Sequence, residues 1–396
     1  MPREDRNLRS SKRIPLVLAV LGAIAILALG CIPTPDGGGT EPSGIELVET
    51  RVVSYNGLSV TAELYRNNDL DCGRQGKFTF VVIAPDNDVA AEAPLWVFLH
   101  GGGVGYFEPD EDPSDGVNPE YVGGESMNDE ESLTDLVKRV YSNGDTIMMR
   151  RLAEGWRILV PSLCDHDMHS GEGNDYPNNP YYGTAGDTVD GLDANVAALE
   201  FVAELRPTTW VVVHGTSAGS VGAFALAQRM HEEGIDLNAA ILDAYLITPR
   251  LLTIFAAGYT PQQQMDPDFS YQAVVDKVGR FVDVEGADGI YPTKAVEVDD
   301  FRAVPLLDVV GTADPHCSGD VAPVPGVPAG MGNCEYVHQG FADAIAAQDD
   351  SPHAAILVEG AGHVPTKNPN LVNLADDVDN WLNGVIAADP GHYPFG

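Results

Sequence analysis

Two kinds of hydrophobic pattern follow each other along the chain. Near the start, apolar and polar residues alternate, which is typical of antiparallel strands that turn one face to a core. The predicted strands of this kind are residues 52–55, 58–65 and 78–83. Nearly continuous apolar runs come later, as expected for parallel strands buried on both faces. These runs are residues 95–99, 157–160, 210–213, 239–242, 306–310 and 355–358.

Helical patterns lie between several of the later strands. The predicted helices are residues 132–141, 146–153, 188–205, 221–233, 341–348 and 370–386. Strands that alternate with helices predict an α/β fold with a mostly parallel central sheet and helices on both faces. Residues 104–131 and 249–300 interrupt the alternation and are expected to be insertions that shape or cover a cleft. For the first of them, simple surface decoration is an equal alternative.

The N-terminal segment has the features of an export signal. Five basic residues precede an apolar run at residues 14–29, and a small residue, Gly30, follows. This order of basic, apolar and small residues is that of a secretory signal. Ala28-Leu29-Gly30-Cys31 further resembles a bacterial lipobox, in which Cys31 would be lipidated and become the mature N-terminus. An ordinary cleaved signal and an uncleaved anchor are the alternatives.

The chain is therefore divided into three parts: a signal at residues 1–31, a tether at 32–44 and one domain at 45–396. The tether is predicted from its Gly and Pro content, and the length of the rest suits one large α/β domain. Such a protein would be secreted or held at the cell envelope. With a net charge of −37, it is expected to be repelled by nucleic acid and to meet the membrane only through its lipid anchor.

Four cysteines remain beyond Cys31, and an even number in an oxidising compartment indicates two disulfides. Cys317 and Cys334 bracket a loop rich in Gly and Pro, so we pair them. This leaves Cys72 to pair with Cys164. Free, buried thiols are the alternative.

The turn after the strand at 210–213 carries the candidate nucleophile. The sequence Gly215-Thr216-Ser217-Ala218-Gly219 lies between that strand and a helical pattern rich in alanine. A serine at the apex of a strand, sharp turn and helix has its hydroxyl pushed out of the sheet. Ser217 is therefore the predicted nucleophile.

A serine hydroxyl needs a general base and an acid that orients the base. His363 lies in a tight turn just past the strand at 355–358, at the same sheet edge as the serine, and is the predicted base. Asp314 follows the preceding strand and is the predicted acid, with Asp300 and Asp308 as fallbacks. The alternatives are a loop histidine without a role and an aspartate that only forms a turn.

The oxyanion of a tetrahedral intermediate needs hydrogen-bond donors. The strand at 95–99 runs into His100-Gly101-Gly102-Gly103, and glycines allow backbone amides to face a ligand closely. The predicted donors are the amides of Gly102, Gly103 and Ala218. A flexible glycine turn is the alternative.

A polar cluster follows the strand at 157–160. Asp165, His166, Asp167 and His169 are of the residue types that bind divalent metals. We also consider a structural polar loop, or a wall of the substrate pocket formed by Asp167 and His169. No metal is included in the prediction. The acidic residues at 110–115 lack the spacing of a calcium loop and are expected to be solvated.

With the three loops identified, the chain resembles the α/β-hydrolase superfamily over about residues 46–390. The chain order Ser217, Asp314, His363 is that of the superfamily, and HGGG resembles the oxyanion loop of carboxylesterases and lipases. The loop with Cys164, Asp167 and His169, together with GTSAGS, is similar to pectin acetylesterases and Notum-like esterases. This resemblance implies a serine esterase that acts on an acylated carbohydrate and needs no cofactor. A serine peptidase on the same fold and a non-catalytic binding lipoprotein are the rival hypotheses.

Overall fold

A computed structural model describes most of the domain. The described residues are 44–55, 57–72, 76–85, 92–103, 106–107, 121–122, 130–141, 147–175, 188–245, 303–318, 327–368 and 370–395. The predicted signal, with Cys31, and the tether up to residue 43 lie outside them. So do the insertion at 249–300, Asp300, the acidic residues 110–115 and most of the insertion at 104–131.

Strands are numbered in chain order among the described residues. They are β1 (Ile45–Tyr55), β2 (Leu58–Asp71), β3 (Lys77–Pro85), β4 (Ala93–Leu99), β5 (Tyr106–Phe107), β6 (Tyr121–Val122), β7 (Arg157–Pro161), β8 (Asn174–Asp175), β9 (Thr188–Val189), β10 (Thr208–Thr216), β11 (Ala239–Asp243), β12 (Leu306–Gly311) and β13 (Ala354–Val358). The pairs β5–β6 and β8–β9 are separate two-stranded ribbons.

Helices are numbered in the same way. They are α1 (Leu133–Tyr141), α2 (Ile147–Ala153), α3 (Gly191–Leu205), α4 (Ala218–Glu232), α5 (Pro315–Ser318), α6 (Asn333–Ala346) and α7 (Val372–Ala388), with a 3-10 turn at Pro365–Lys367. Within the described ranges, none of the helices has the length and apolar character needed to cross a lipid bilayer.

The central sheet has nine strands in the order β1-β2-β3-β7-β4-β10-β11-β12-β13. The strands β1, β2 and β3 are antiparallel, and β3 is also antiparallel to β7. From β7 to β13 every pair is parallel. This mixed, mostly parallel sheet is that of an α/β-hydrolase fold, so the predicted fold class is confirmed.

Helices cover both faces of this sheet because successive side chains of a strand point to opposite faces. Leu95, Val97 and Leu99 of β4 belong to a core that includes residues of α3, α4 and α6. Trp96 and Phe98 of the same strand belong to a second core with residues of α1, α2 and α7. The continuous apolar runs of the sequence therefore correspond to strands buried on both sides.

Two disulfides occur in the described residues, with the pairing proposed from the sequence. Cys72, the residue after β2, is joined to Cys164 after β7, and Cys317 in α5 is joined to Cys334 in α6. The first bridge ties the loop after β7 to the antiparallel strands. The second ties the loop after β12 to the helix that follows it.

Helix α4 begins at Ala218, three residues earlier than predicted, and only Ser217 separates it from the end of β10 at Thr216. So abrupt a change of direction brings backbone against backbone. A Cβ on Gly215 would lie 1.9 Å from the carbonyl oxygen of Gly219, and a Cβ on Gly219 would lie 1.9 Å from that of Leu99. Only glycine fits at these two positions, and the helix thereby packs directly on the end of β4.

We expect Gly219→Ala to destabilise the protein by about 3 kcal/mol, because the new methyl group would collide with backbone that cannot move without shifting β4. Gly384→Ala is the matched control, since Gly384 lies within α7 with nothing within 4 Å of its Cβ position. That change should raise stability by up to about 1 kcal/mol. Denaturant unfolding of both variants tests this, and equal unfolding midpoints would contradict the close approach.

Candidate active site

Ser217 lies between β10 and α4 with a backbone φ of 55° and ψ of −123°. A positive φ is uncommon for a residue with a side chain and persists only where the surroundings enforce it. Here the amide of Ser217 donates to the carbonyl oxygen of Asp243 at 2.8 Å. Its own carbonyl oxygen accepts from the amide of Ser220 at 2.9 Å and from the hydroxyl of Ser220 at 2.5 Å. The serine is held at the apex of the turn from both sides.

His363 reaches Ser217 from the loop after β13. Its Nε2 lies 2.7 Å from the Oγ of Ser217, and its Nδ1 lies 2.7 Å from Oδ2 of Asp314. An ionised carboxylate only accepts, so Nδ1 carries the proton and Nε2 is left to accept from the hydroxyl. The side chain of Asp314 is fully buried, and that of His363 is 23% exposed. The structure thus brings the three residues into one hydrogen-bonded chain.

The second oxygen of Asp314 is held by His316, a residue that the sequence analysis did not single out. The backbone amide and the Nδ1 of His316 both lie 2.9 Å from Oδ1 of Asp314. Burial by itself raises the pKa of the Asp314 carboxyl, but the hydrogen bonds from His316 and His363 outweigh it and hold that pKa well below its usual range. The same bond raises the pKa of His316. Asp314 is therefore a fixed negative charge.

The fallback acid Asp308 has a different partner. It lies within β12, and its Oδ2 is 2.5 Å from the Nδ1 of His338 on α6. Both side chains are buried. Of the two described aspartate candidates, the structure brings Asp314 to His363 and Asp308 to a structural histidine.

The HGGG loop lies against the serine, since β4 and β10 are neighbouring parallel strands. The amide of Gly101 donates to Oγ1 of Thr216 at 3.2 Å. A Cβ on Gly101 would lie 2.7 Å from the Cβ of Ser217, so only glycine fits here. Gly103 has a φ of 79°. Gly102 and Gly103 belong to the loop that contacts Ser217, and Ala218 is the residue after Ser217. The use of their amides as oxyanion donors stays a prediction.

The polar loop after β7 lies behind the HGGG loop. The carboxylate of Asp167 accepts from the amides of His169, Gly171 and Gly191 at 2.9, 2.7 and 3.0 Å. His169 is buried and its Nε2 is 3.1 Å from the carbonyl oxygen of His100. Burial, with the neighbouring His100, lowers the pKa of His169 to about 3. These bonds go to the protein itself, so a substrate contact of Asp167 and His169 stays a prediction.

Two groups of described side chains have the spacing of a metal site. One consists of Cys72, Cys164 and Asp165, whose sulfurs are joined in a disulfide. The other consists of Asp314, His316 and His363, with ligand atoms within 4.8 Å of one another. In the second group the short hydrogen bonds already account for the geometry, because each histidine Nδ1 faces one carboxylate oxygen.

A further buried acid joins the serine turn to the histidine loop. The backbone oxygen of Asp243 accepts from Ser217, and its carboxylate accepts from both the amide and the hydroxyl of Thr366. Burial raises the pKa of Asp243 to about 7, although the hydrogen bonds from Thr366 oppose this. Asp243 could have been noticed in the sequence, because it directly follows the apolar run at residues 239–242. Nothing in the sequence indicated its partner Thr366, which lies 123 residues further along the chain.

No protein-family model and no curated protein sequence matches the chain, but solved structures do. For an S-formylglutathione hydrolase from Agrobacterium tumefaciens the TM-score is 0.46 at 12% identity, over 85% of this chain and 98% of that one. For brefeldin A esterase, a bacterial homologue of human hormone-sensitive lipase, it is 0.43 at 15% identity, over 91% and 81%. For an acetyl xylan esterase from Paenibacillus sp. R4 it is 0.42 at 12% identity, over 85% and 88%.

We expect His316 to fix the rotamer of Asp314. His316→Leu removes the ring donor and should slow labelling of Ser217 by a fluorophosphonate probe roughly 10- to 150-fold, which corresponds to the loss of one hydrogen bond to a charged group, about 1.5 to 3 kcal/mol. In His316→Asn the amide nitrogen can occupy the place of Nδ1, so its labelling rate should stay within about 3-fold of the parent protein. The labelling rate constants decide the matter. Equal rates for both variants would show that the ring does not position the acid.

Proposed function

We propose that the protein is a serine hydrolase of carboxylic esters that uses Ser217, His363 and Asp314 as its catalytic triad. The observation that carries the proposal is the continuous chain from the Ser217 hydroxyl through both ring nitrogens of His363 to a buried carboxylate, with 2.7 Å at each step. Such a chain activates a hydroxyl that is otherwise a poor nucleophile.

In the first half of the reaction, Oγ of Ser217 attacks the ester carbonyl carbon as its proton passes to Nε2 of His363. Asp314, which stays ionised, stabilises the imidazolium that forms. The amides of Gly102, Gly103 and Ala218 stabilise the oxyanion of the tetrahedral intermediate. The intermediate collapses, the C–O bond to the alcohol breaks, and His363 returns the proton to the leaving oxygen.

In the second half, water attacks the acyl-enzyme and gives one proton to His363. A second tetrahedral intermediate collapses, the carboxylic acid leaves, and the proton returns to Oγ of Ser217. The proton exchange between Ser217 and His363 uses atoms that lie 2.7 Å apart in this structure. No cofactor enters the reaction.

The substrate class of the proposal is an acylated carbohydrate. Its support is the resemblance of the loop with Cys164, Asp167 and His169, and of GTSAGS, to pectin acetylesterases and Notum-like esterases. The triad alone does not separate ester from amide cleavage, so the assay panel includes both. We expect turnover of acetyl esters, including acetylated pectin and xylan, and not of aminoacyl anilides.

Ser217→Ala should abolish both p-nitrophenyl acetate hydrolysis and labelling by a fluorophosphonate, since the nucleophile is removed. Asp314→Asn should lower kcat by roughly 10³- to 10⁴-fold, because the amide favours the wrong tautomer of His363. Asp308→Asn is the matched control on β12 and should cost far less activity. Full activity of Ser217→Ala would overturn the proposal, faster turnover of anilides would favour a peptidase, and a parent protein without labelling would favour a binding protein.

We further propose that the protein is exported and held at the cell envelope by a lipid on Cys31. The N-terminal pattern supports this, and so do the two disulfides, which persist in oxidising compartments. Cys31→Ala should prevent incorporation of radiolabelled palmitate and release the protein from the membrane fraction in a bacterial host. Retention of the label in this variant would contradict lipidation at Cys31.

A further inference from the structure

A buried carboxylate lies behind the HGGG loop. Glu131 is the last residue of the predicted insertion at 104–131, and its side chain is 1% exposed. Its Oε2 lies 2.7 Å from the Nε2 of His100 and accepts from the amide of Leu163 at 3.0 Å. Its Oε1 accepts from Arg139 of α1 at 2.9 Å. One carboxylate therefore joins three separate segments, and surface decoration is not the role of this residue.

The charge of Glu131 is maintained by these partners. Burial alone raises the pKa of its carboxyl, but His100 and Arg139 outweigh burial and lower that pKa to about 2. Three donors surround the carboxylate, which suits the ionised form because that form only accepts. Glu131 is thus an acceptor for His100.

The hydrogen bonds also define the protonation state of His100. Its Nε2 faces the ionised carboxylate of Glu131, and its Nδ1 lies 3.0 Å from the carbonyl oxygen of Gly101. Both of these partners only accept, so hydrogen bonding to both requires a proton on each ring nitrogen. With its side chain 2% exposed, His100 is then a buried imidazolium paired with Glu131.

This imidazolium fixes the orientation of one peptide group. In a trans peptide the carbonyl and the following N–H point in opposite directions, and the described chain contains no cis peptide bond. Because the carbonyl of Gly101 turns toward the ring of His100, the N–H of Gly102 points away from that ring. The preceding peptide is fixed too, since the carbonyl of His100 faces Nε2 of His169 and the amide of Gly101 donates to Thr216.

We propose that Glu131 is a positioning residue of the oxyanion hole: through a doubly protonated His100, it orients the amide of Gly102 toward the acyl oxygen. This inference rests on the proposed function. The relay runs from Glu131 to the His100 ring, to the carbonyl of Gly101 and to the N–H of Gly102. It also places a positively charged ring behind the loop, whose amides face the substrate oxygen on which negative charge develops in the transition state.

The relay acts on the transition state more than on substrate binding, because the oxyanion forms only after attack. Glu131→Gln keeps the volume of the side chain but removes its charge, so His100 no longer needs its second proton. Since loss of a complete oxyanion donor costs about 10²- to 10³-fold in kcat, a donor that is present but misoriented should cost roughly 10- to 100-fold. KM should stay within about 3-fold of the parent value.

The first experiment compares kcat and KM of Glu131→Gln and Glu130→Gln on p-nitrophenyl acetate. Glu130 is the matched control, because it is the neighbouring residue, is one-third exposed and pairs with Arg66 of β2 instead of the loop. A loss of kcat in the first variant alone supports the relay. Parent-like kcat in Glu131→Gln, or an equal loss in both variants, would overturn it.

Two variants at His100 test the hydrogen bond from its ring to the carbonyl oxygen of Gly101. They also test the proposal if Glu131→Gln fails to fold. In His100→Asn the amide nitrogen can take the place of Nδ1 and still donate to the carbonyl of Gly101. In His100→Gln it can take the place of Nε2, so that Glu131 keeps its donor and the carbonyl of Gly101 loses one. We expect His100→Gln to lose at least about 10-fold more kcat than His100→Asn. The reverse order would contradict the relay.

A spectroscopic measurement tests the relay without turnover. In ¹⁵N NMR of the parent protein, the His100 ring, assigned with His100→Asn, should show two protonated nitrogens, and Glu131→Gln should lose one of these protons. A neutral His100 in the parent protein would overturn the proposal. If the protein failed to hydrolyse esters while His100 was doubly protonated, the proposed function would fail and the structural link would stand.

Discussion

The direct contact of helix α4 with the end of β4 is the constraint on which the site depends. At Gly219 there is no room for even a methyl group beside the carbonyl of Leu99. Because the helix starts this close to the sheet, Ser217 must turn at the apex with a φ of 55°. The same approach brings Gly101, two residues past Leu99, against the serine side chain. Ser217 and the HGGG loop are thus brought together by one packing contact.

Three buried carboxyl groups near this contact have pKa values that their surroundings shift in different directions. Asp314 and Glu131 each accept several hydrogen bonds from histidine, arginine or backbone donors, and both keep a lowered pKa despite burial. Asp243 accepts from the hydroxyl and amide of Thr366, and burial raises its pKa to about 7. The hydrogen-bond donors around each carboxylate, more than its depth, decide which acid stays ionised. In the proposed reaction the two ionised acids each hold a histidine, one behind the base and one behind the oxyanion loop.

The sequence predicted the parallel strands and the loops at their ends because both signals are local. An apolar run marks a buried strand, and a chemically active loop at a strand end must lie at the common edge of a parallel sheet. What it did not predict were the partners of those residues. The sequence analysis did not single out His316, and it included Glu131 only as the last residue of an insertion. The contact between Glu131 and His100 joins residues that are 31 positions apart. It depends on how two loops pack, and the hydrophobic periodicity of the sequence does not predict such packing.

The two disulfides connect this geometry to the compartment proposed for the protein. Cys317 follows Asp314 by three residues, and the Sγ of its partner Cys334 lies 3.3 Å from the carbonyl oxygen of Asp314. Cys164 follows Leu163, whose amide donates to Glu131. One bridge therefore holds the loop of the proposed catalytic acid, and the other holds the loop behind the proposed oxyanion donors. Reduction would release both loops from their tethers, so the proposed site is best maintained where thiols stay oxidised. The proposed export signal and the proposed hydrolytic site thus fit one physical requirement, since the loop that carries Asp314 and the loop behind the HGGG segment are fastened by bonds that the cytosol would not preserve.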